Sequence, residues 1–367
     1  MSSDKHTEAR REPGAGDGLD EAARRALDDS PFMRACRRQP VPYTPIWLMR
    51  QAGRYMREYR EVRERTSFLE LCKTPELAAE VTVYAAERLR VDAAIIFADI
   101  LLIVEPLGLE LEFSKGDGPI IHNPVREARD IDRLRELEDP SALDYVYEAI
   151  RQTRRALPRN VPLIGFCGAP FTLASYIVEG GASKNYVRTK TLMHDEPGAW
   201  HEMLRLISRA LSRYLNAQIE AGAQAVQLFD SWVGCLSPDD YREYILPHVH
   251  SLVERITPGV PVIHFGTGTA TLLELMREAG GDVIGLDWRV RLDEARARLG
   301  DVAVMGNLDP VLLFSGREVV EREAARILKR AGARPGHIFN LGHGILPETP
   351  VETVVALVDY VHEKSAR

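Results

Sequence analysis

Lysine is scarce in this chain: only seven of its 47 basic residues are lysine, the rest being arginine. Positive charge is also in deficit overall. The formal net charge of −7 and isoelectric point near 5.9 exclude a protein that grips nucleic acid or an anionic membrane through bulk charge. Any anion site must be a local positive patch. Cysteine is sparse too. Cys36, Cys72, Cys167 and Cys235 lie far apart with no C-x-x-C pair, which excludes a disulfide framework or a zinc–cysteine cluster and fits reduced thiols. Long apolar runs are missing. The most apolar stretch, Ala93 to Val104, is interrupted by Asp99 and is too short to span a bilayer. No signal-peptide pattern opens the chain, so a cytoplasmic location is expected, with neither nucleic acid nor membrane as partner.

What remains is 45% hydrophobic and 28% charged over 367 residues. That is long for one ordinary domain but normal for a single α/β barrel. Residues 1–28 are polar, with Pro13 and Gly14 to Gly18 rich in turn formers, and read as a disordered N-terminal tail. Residues 29–367 read as one domain. Eight short β-rich runs recur along it: Ile46–Met49, Ala93–Phe97, Pro162–Phe166, Ala225–Phe229, Pro261–Phe265, Asp282–Leu286, Val302–Gly306 and His337–Leu341. Amphipathic segments alternate with them, such as Thr74–Arg90, Pro197–Ala221 and Pro238–Ile256. Thr74-Pro75 and Ser237-Pro238 each look like an N-cap followed by proline. Gly222, Gly280, Gly300 and Gly332 look like helix stops. Eight strands alternating with helices predict a single (β/α)₈ TIM barrel. A doubly wound sheet would want G-x-G-x-x-G after the first strand, which is absent. The inserts Glu105 to Asp139 and Phe171 to Asp195 are long enough to cover one rim.

In a barrel the strand ends converge on one mouth. The first end reads Arg50-Gln-Ala-Gly-Arg54. Two guanidinium forks on one short loop suit a substrate with several carboxylates or phosphates, and Gly53 allows close backbone approach. Arg57 to Arg65, where arginine mixes with glutamate, reads as a solvated helix. Other strand ends offer Asp99, Tyr176, Ser231 and a histidine between two glycines, His343. Asp230 and Asp287 read equally well as structural network members and as substrate contacts, and His264 as an interior histidine. No P-loop, H-E-x-x-H motif or evident Ser–His–Asp array is present.

Several segments together resemble the uroporphyrinogen decarboxylase family. They are Arg50-Gln-Ala-Gly-Arg54-Tyr55, Asp92 to Ile100, Gly165 to Gly181, Gly285-Leu-Asp-Trp288, Gly306-Asn-Leu-Asp-Pro310 and Asn340-Leu-Gly-His-Gly344. The likeness runs from about Ser30 to the C-terminus. It implies cofactor-free, metal-free conversion of the four acetate arms of uroporphyrinogen III to methyl groups, giving coproporphyrinogen III, by a homodimer. Carried over by position, it implies a substrate-binding loop of Arg50, Gln51, Ala52, Gly53 and Arg54. It implies Asp99 at the cleft bottom as acceptor for the pyrrole N–H groups, and rim contacts from Tyr176, Ser231 and His343. Asp99 and Arg50 are the expected catalytic residues. Tyr59 and Ala98 depart from the family pattern, where phenylalanine and serine are frequent, and the N-terminal tail is longer.

The chemistry agrees. Eight carboxylates need arginines, and four convergent N–H groups need a fixed acceptor. Losing CO₂ needs an electron sink, and a pyrrole protonated on carbon is one; a buried aspartate stabilises that cation more than the neutral ring. The proton donor stays open among Arg50, His343, Tyr176 and a water relayed from Asp99, although a guanidinium is ordinarily a poor acid. Two alternatives stand beside this reading. One is a zinc-dependent methyltransferase on the same barrel, which would want a His-x-Cys pair where the chain has His264-Phe-Gly266. The other is a non-catalytic tetrapyrrole carrier.

Overall fold

Backbone hydrogen bonds join seven short parallel strands into one sheet. The computed structural model describes residues 19–114 and 118–367. Its strands are β1 (Ala94–Ile95), β2 (Leu111–Ser114), β3 (Gly118–Ile121), β4 (Leu163–Gly168), β5 (Ala225–Asp230), β6 (Val262–Gly266), β7 (Val283–Gly285), β8 (Ala303–Met305) and β9 (His337–Ile338). The sheet order is β1-β4-β5-β6-β7-β8-β9, while β2 and β3 pair separately and antiparallel. Every residue of β4 is buried, as expected for a parallel sheet covered on both faces. Helices separate the strands, including Pro170–Glu179 and Pro197–Glu220 between β4 and β5.

The sheet curls so far that one segment touches both its edges. Phe339 donates its N–H to Pro45 O at 2.8 Å, and Ile46 bridges Phe339 in parallel sense. On the other side the Asp92 N–H reaches Ile46 O at 2.8 Å. The strand expected over Ile46–Met49 is therefore a single bridge residue. Its continuation is taken over by side chains: the Leu48 N–H goes to Gln51 Oε1 and the Met49 N–H to Asn340 Oδ1. A turn that recruits its own polar side chains cannot also serve a ladder.

Three further expectations change. Residues 1–18 of the expected tail lie outside the described residues, but Glu21–Asp28 is a helix, capped by Asp20 and burying Ala23 and Leu27. Thr74 precedes its helix without capping it, because its hydroxyl donates to Glu70 O instead; Ser237 does cap, accepting from the Asp240 N–H. The helix expected over Pro238–Ile256 contains a π turn at Tyr241–Ile245 before Leu246–Val253. Pro247 lacks the N–H that a regular ladder would need there. The insert after β1 holds the β2–β3 hairpin, tied by an Ile120–Gly181 bridge to the segment after Pro170–Glu179. Among the described residues no helix is long and apolar enough to cross a membrane.

Candidate active site

A cleft of about 1130 Å³ opens at the C-terminal ends of the strands, and all nine expected site residues line it: Arg50, Gln51, Ala52, Gly53, Arg54, Asp99, Tyr176, Ser231 and His343. Its roof includes Phe113, Gly118 and Pro119 from the hairpin.

The Arg50 loop is held from several sides. Arg50 has φ of 62°, a left-handed conformation that a non-glycine residue adopts at a cost of about 1–2 kcal/mol. Such strain persists where the surroundings over-determine it. Here Gln51 N donates to Leu48 O at 3.0 Å, Tyr55 Oη donates to Gln51 O at 2.6 Å, and Ile345 N donates to Met49 O at 2.9 Å. Gln51 is fully buried and spends its amide on Leu48 N and Ala93 O. It is a bracket for the loop, whereas Arg50 and Arg54 are exposed to the cleft. The Arg50 side chain lies across Gly344, where a Cβ would collide with Arg50 Cδ and Cγ. Glycine at 344 is thus a clearance for the arginine, which explains one of the two glycines beside His343.

Asp99 is half-buried on the stretch beyond β1. Its Oδ1 accepts the Leu101 N–H at 2.8 Å. Burial pushes its carboxyl up to about 6, against the opposing pull of the Leu101 N–H and the Arg50 charge. The carboxylate is thus ionised at neutral pH yet poorly solvated, the state in which an anion gains most from a nearby cation. Asp99 in turn raises the Tyr176 phenol beyond what burial alone does. His343 is pushed down to about 4 by burial and then by Arg50 and Arg289. Its Nδ1 accepts the Gly344 N–H at 2.7 Å, so the neutral ring carries its proton on Nε2. His343 is therefore a hydrogen-bond donor at neutral pH and not a charged acid.

An aromatic wall was not anticipated. Phe166, Phe229 and Phe265 line the cleft from β4, β5 and β6, with ring centroids 5.4 Å and 6.1 Å apart, and Phe265 is 6.4 Å from His343. One phenylalanine near the end of each of three neighbouring strands was the available signal. The helix Arg57–Arg65 is solvated along most of its length, with an Arg57–Glu61 pair at i, i+4, and its last turn brings Arg63 and Arg65 to the edge of the cleft. Arg63 packs over Phe68 at 5.8 Å from the ring centroid. The structural readings hold elsewhere. Asp287 is buried against Gly268 N and Arg289, and His264 is fully buried toward Met276 and Gly280, away from the cleft that its neighbour Phe265 lines. Among the described residues no group of three or more His, Cys, Asp and Glu side chains is disposed to hold a metal.

The sequence profile of the uroporphyrinogen decarboxylase family matches residues 27–364. The chain belongs to the uroporphyrinogen decarboxylase family. It is 59% identical over 333 residues to a uroporphyrinogen decarboxylase of Sorangium cellulosum, covering 90% of this chain and 95% of that one. It is 58% identical to another from Carboxydothermus hydrogenoformans, covering 91% and 96%. Among solved structures a methyltransferase from Methanosarcina mazei superposes with a TM-score of 0.76 at 21% identity, covering 91% of this chain and 98% of that one. A putative vitamin-B12-independent methionine synthase from Listeria monocytogenes gives 0.57 at 13%, covering 88% and 96%. These two likenesses are of fold alone. The family assignment rests on the sequence match, which spans every residue lining the cleft.

Proposed function

We propose that this protein decarboxylates the four acetate arms of uroporphyrinogen III to methyl groups, yielding coproporphyrinogen III in tetrapyrrole biosynthesis. It acts as a carboxy-lyase without metal or organic cofactor, as a cytoplasmic homodimer whose single domain, residues 29–367, is a (β/α)₈ barrel closed through Ile46. The observation that carries the reading is the pairing of a poorly solvated carboxylate, Asp99, with Arg50 and Arg54 in one cleft. Asp99 accepts the convergent pyrrole N–H groups, and Arg50 and Arg54 take side-chain carboxylates. Gln51, Ala52 and Gly53 shape the loop between them, and Tyr176, Ser231 and His343 donate hydrogen bonds around the rim. The phenylalanine wall excludes water from the macrocycle.

The reacting pyrrole is protonated on carbon and becomes an iminium-like cation beside Asp99. The C–C bond to the acetate carboxylate breaks, CO₂ departs, and the bonding pair neutralises the ring. Reprotonation of the exposed methylene and loss of the first proton restore the pyrrole with a methyl group. Asp99 stabilises the cation more than the neutral ring, which is catalysis by differential binding. A neutral His343 favours a water or another group over His343 as the proton source. The reading as a zinc methyltransferase is disfavoured by His264, which faces the helices, and by glycine at 266. Anaerobic incubation with uroporphyrinogen, with and without a chelator, tests the proposal by chromatography of the product carboxyl count. Four carboxyls lost in both arms is the expected result; eight retained points to a carrier, and activity restored only by zinc to a metalloenzyme.

A further inference from the structure

Two of the rim residues, Tyr176 and Ser231, come from different elements: the helix Pro170–Glu179 and the turn after β5. One fully buried pair joins them. Thr172 Oγ1 donates to Asp230 Oδ1 at 2.8 Å and accepts the Trp232 N–H at 3.3 Å, and both Thr172 and Asp230 are 0% exposed. Thr172 stands one helical turn before Tyr176, so the two share a face, and Asp230 directly precedes Ser231. The ring of contacts closes through Trp232, whose indole stacks on the Tyr176 ring with centroids 3.9 Å apart and planes inclined by 29°. Each side of the cleft corner is thereby registered against the other by the Thr172 hydroxyl, beside the Ala169 N–H that donates to Phe229 O at 2.9 Å.

We infer that the Thr172–Asp230 hydrogen bond is a positioning latch that sets Tyr176 and Ser231 at a fixed separation for the substrate. Thr172 and Asp230 themselves are absent from the residues lining the cleft, so they act through their neighbours. The carboxyl is an expensive choice for packing alone. Burial pushes Asp230 up to about 7, and only the Thr172 hydroxyl and the Thr172 backbone N–H pull it back. That N–H belongs to the first turn of Pro170–Glu179, whose donors have no partner within the helix. The carboxylate thus holds the helix end to the strand end from which Ser231 departs. Displacing that helix would carry Tyr176 with it and draw its hydroxyl away from the bound substrate, a loss that falls on binding.

The inference rests on the function proposed above, and the test separates the two. Wild type, Thr172→Val, Thr172→Ser, Ser231→Ala and the Thr172→Val/Ser231→Ala double variant are assayed on uroporphyrinogen, each with its melting temperature. Thr172→Ala replaces Thr172→Val if the valine protein does not fold. Thr172→Val should raise KM about tenfold with a much smaller change in kcat. Thr172→Ser, which keeps the hydroxyl, should return KM to near wild type. The double variant should be scarcely worse than Ser231→Ala, because both changes disable one contact. Unchanged KM in folded Thr172→Val, failure of serine to rescue, or full additivity overturns the latch while wild-type turnover leaves the function standing. A wild type that releases no CO₂ overturns both.

Discussion

Replacing Asp99 with asparagine should stabilise the protein above pH 6 while disabling it. The Asp99 carboxyl sits at about 6, against 3.8 for an ordinary aspartate. A carboxyl held above its unfolded value binds its proton more tightly when folded. Protonated, it therefore favours the native state, and the advantage is lost as pH rises through 6. A displacement that large corresponds to about 3 kcal/mol. Because Asp99 keeps one face toward the open cleft, about 1–2 kcal/mol is the expected penalty. Asparagine retains an oxygen for the Leu101 N–H and cannot ionise, so it escapes the penalty. Urea unfolding of both proteins at pH 8 should place Asp99→Asn higher. The gap should shrink by about half at pH 5 and close near pH 4. The wild-type kcat/KM should in turn fall as pH drops through about 6, where the free enzyme loses the anion. A variant less stable than wild type at pH 8, or a gap independent of pH, would show that burial of the Asp99 charge carries no such penalty.

Arg50→Ala and Arg54→Ala should each weaken substrate binding by about 1.5–3 kcal/mol, read by equilibrium titration, with lysine restoring charge but not the two-pronged geometry. Gly344→Ala should mimic Arg50→Ala in KM at nearly unchanged melting temperature, because its methyl group would occupy the path of the Arg50 side chain. Asp92→Ala should lower unfolding free energy by about 2–4 kcal/mol, measured in urea. Asp92 holds Ile46 N at 2.7 Å, His362 Nε2 at 2.7 Å and Tyr43 Oη at 2.9 Å, where the sheet edges meet.

The alternation of elements was legible because the strands are apolar on both faces and the helices are punctuated by glycine and proline. Gly222, Gly280, Gly300 and Gly332 all take positive φ where a helix stop was expected. The first strand was misread because apolarity cannot tell a buried strand from a buried turn: Trp47 and Leu48 are fully buried, yet Leu48 serves the turn. Arg50, Arg54, Asp99, Ser231 and His343 could be grouped because each follows a strand run, whereas Tyr176 lies on the helix Pro170–Glu179 and Gln51 to Gly53 join the group through the family resemblance. The role of Gln51 as a bracket and the neutrality of His343 were hidden, since both depend on partners brought from elsewhere in the chain. That Arg63 and Arg65 border the cleft was hidden for the same reason: a solvated helix face does not show in sequence what stands beside it.

In the proposed mechanism Asp99 acts on the transition state through its charge. Steady-state kinetics of Asp99→Asn under saturating uroporphyrinogen, with substrate affinity measured separately, tests it most directly. In this variant kcat should fall by about a hundred- to a thousandfold, with affinity much less affected and the protein folded. An asparagine variant that binds poorly yet turns over at the wild-type rate when saturated would contradict it, leaving Asp99 a docking residue.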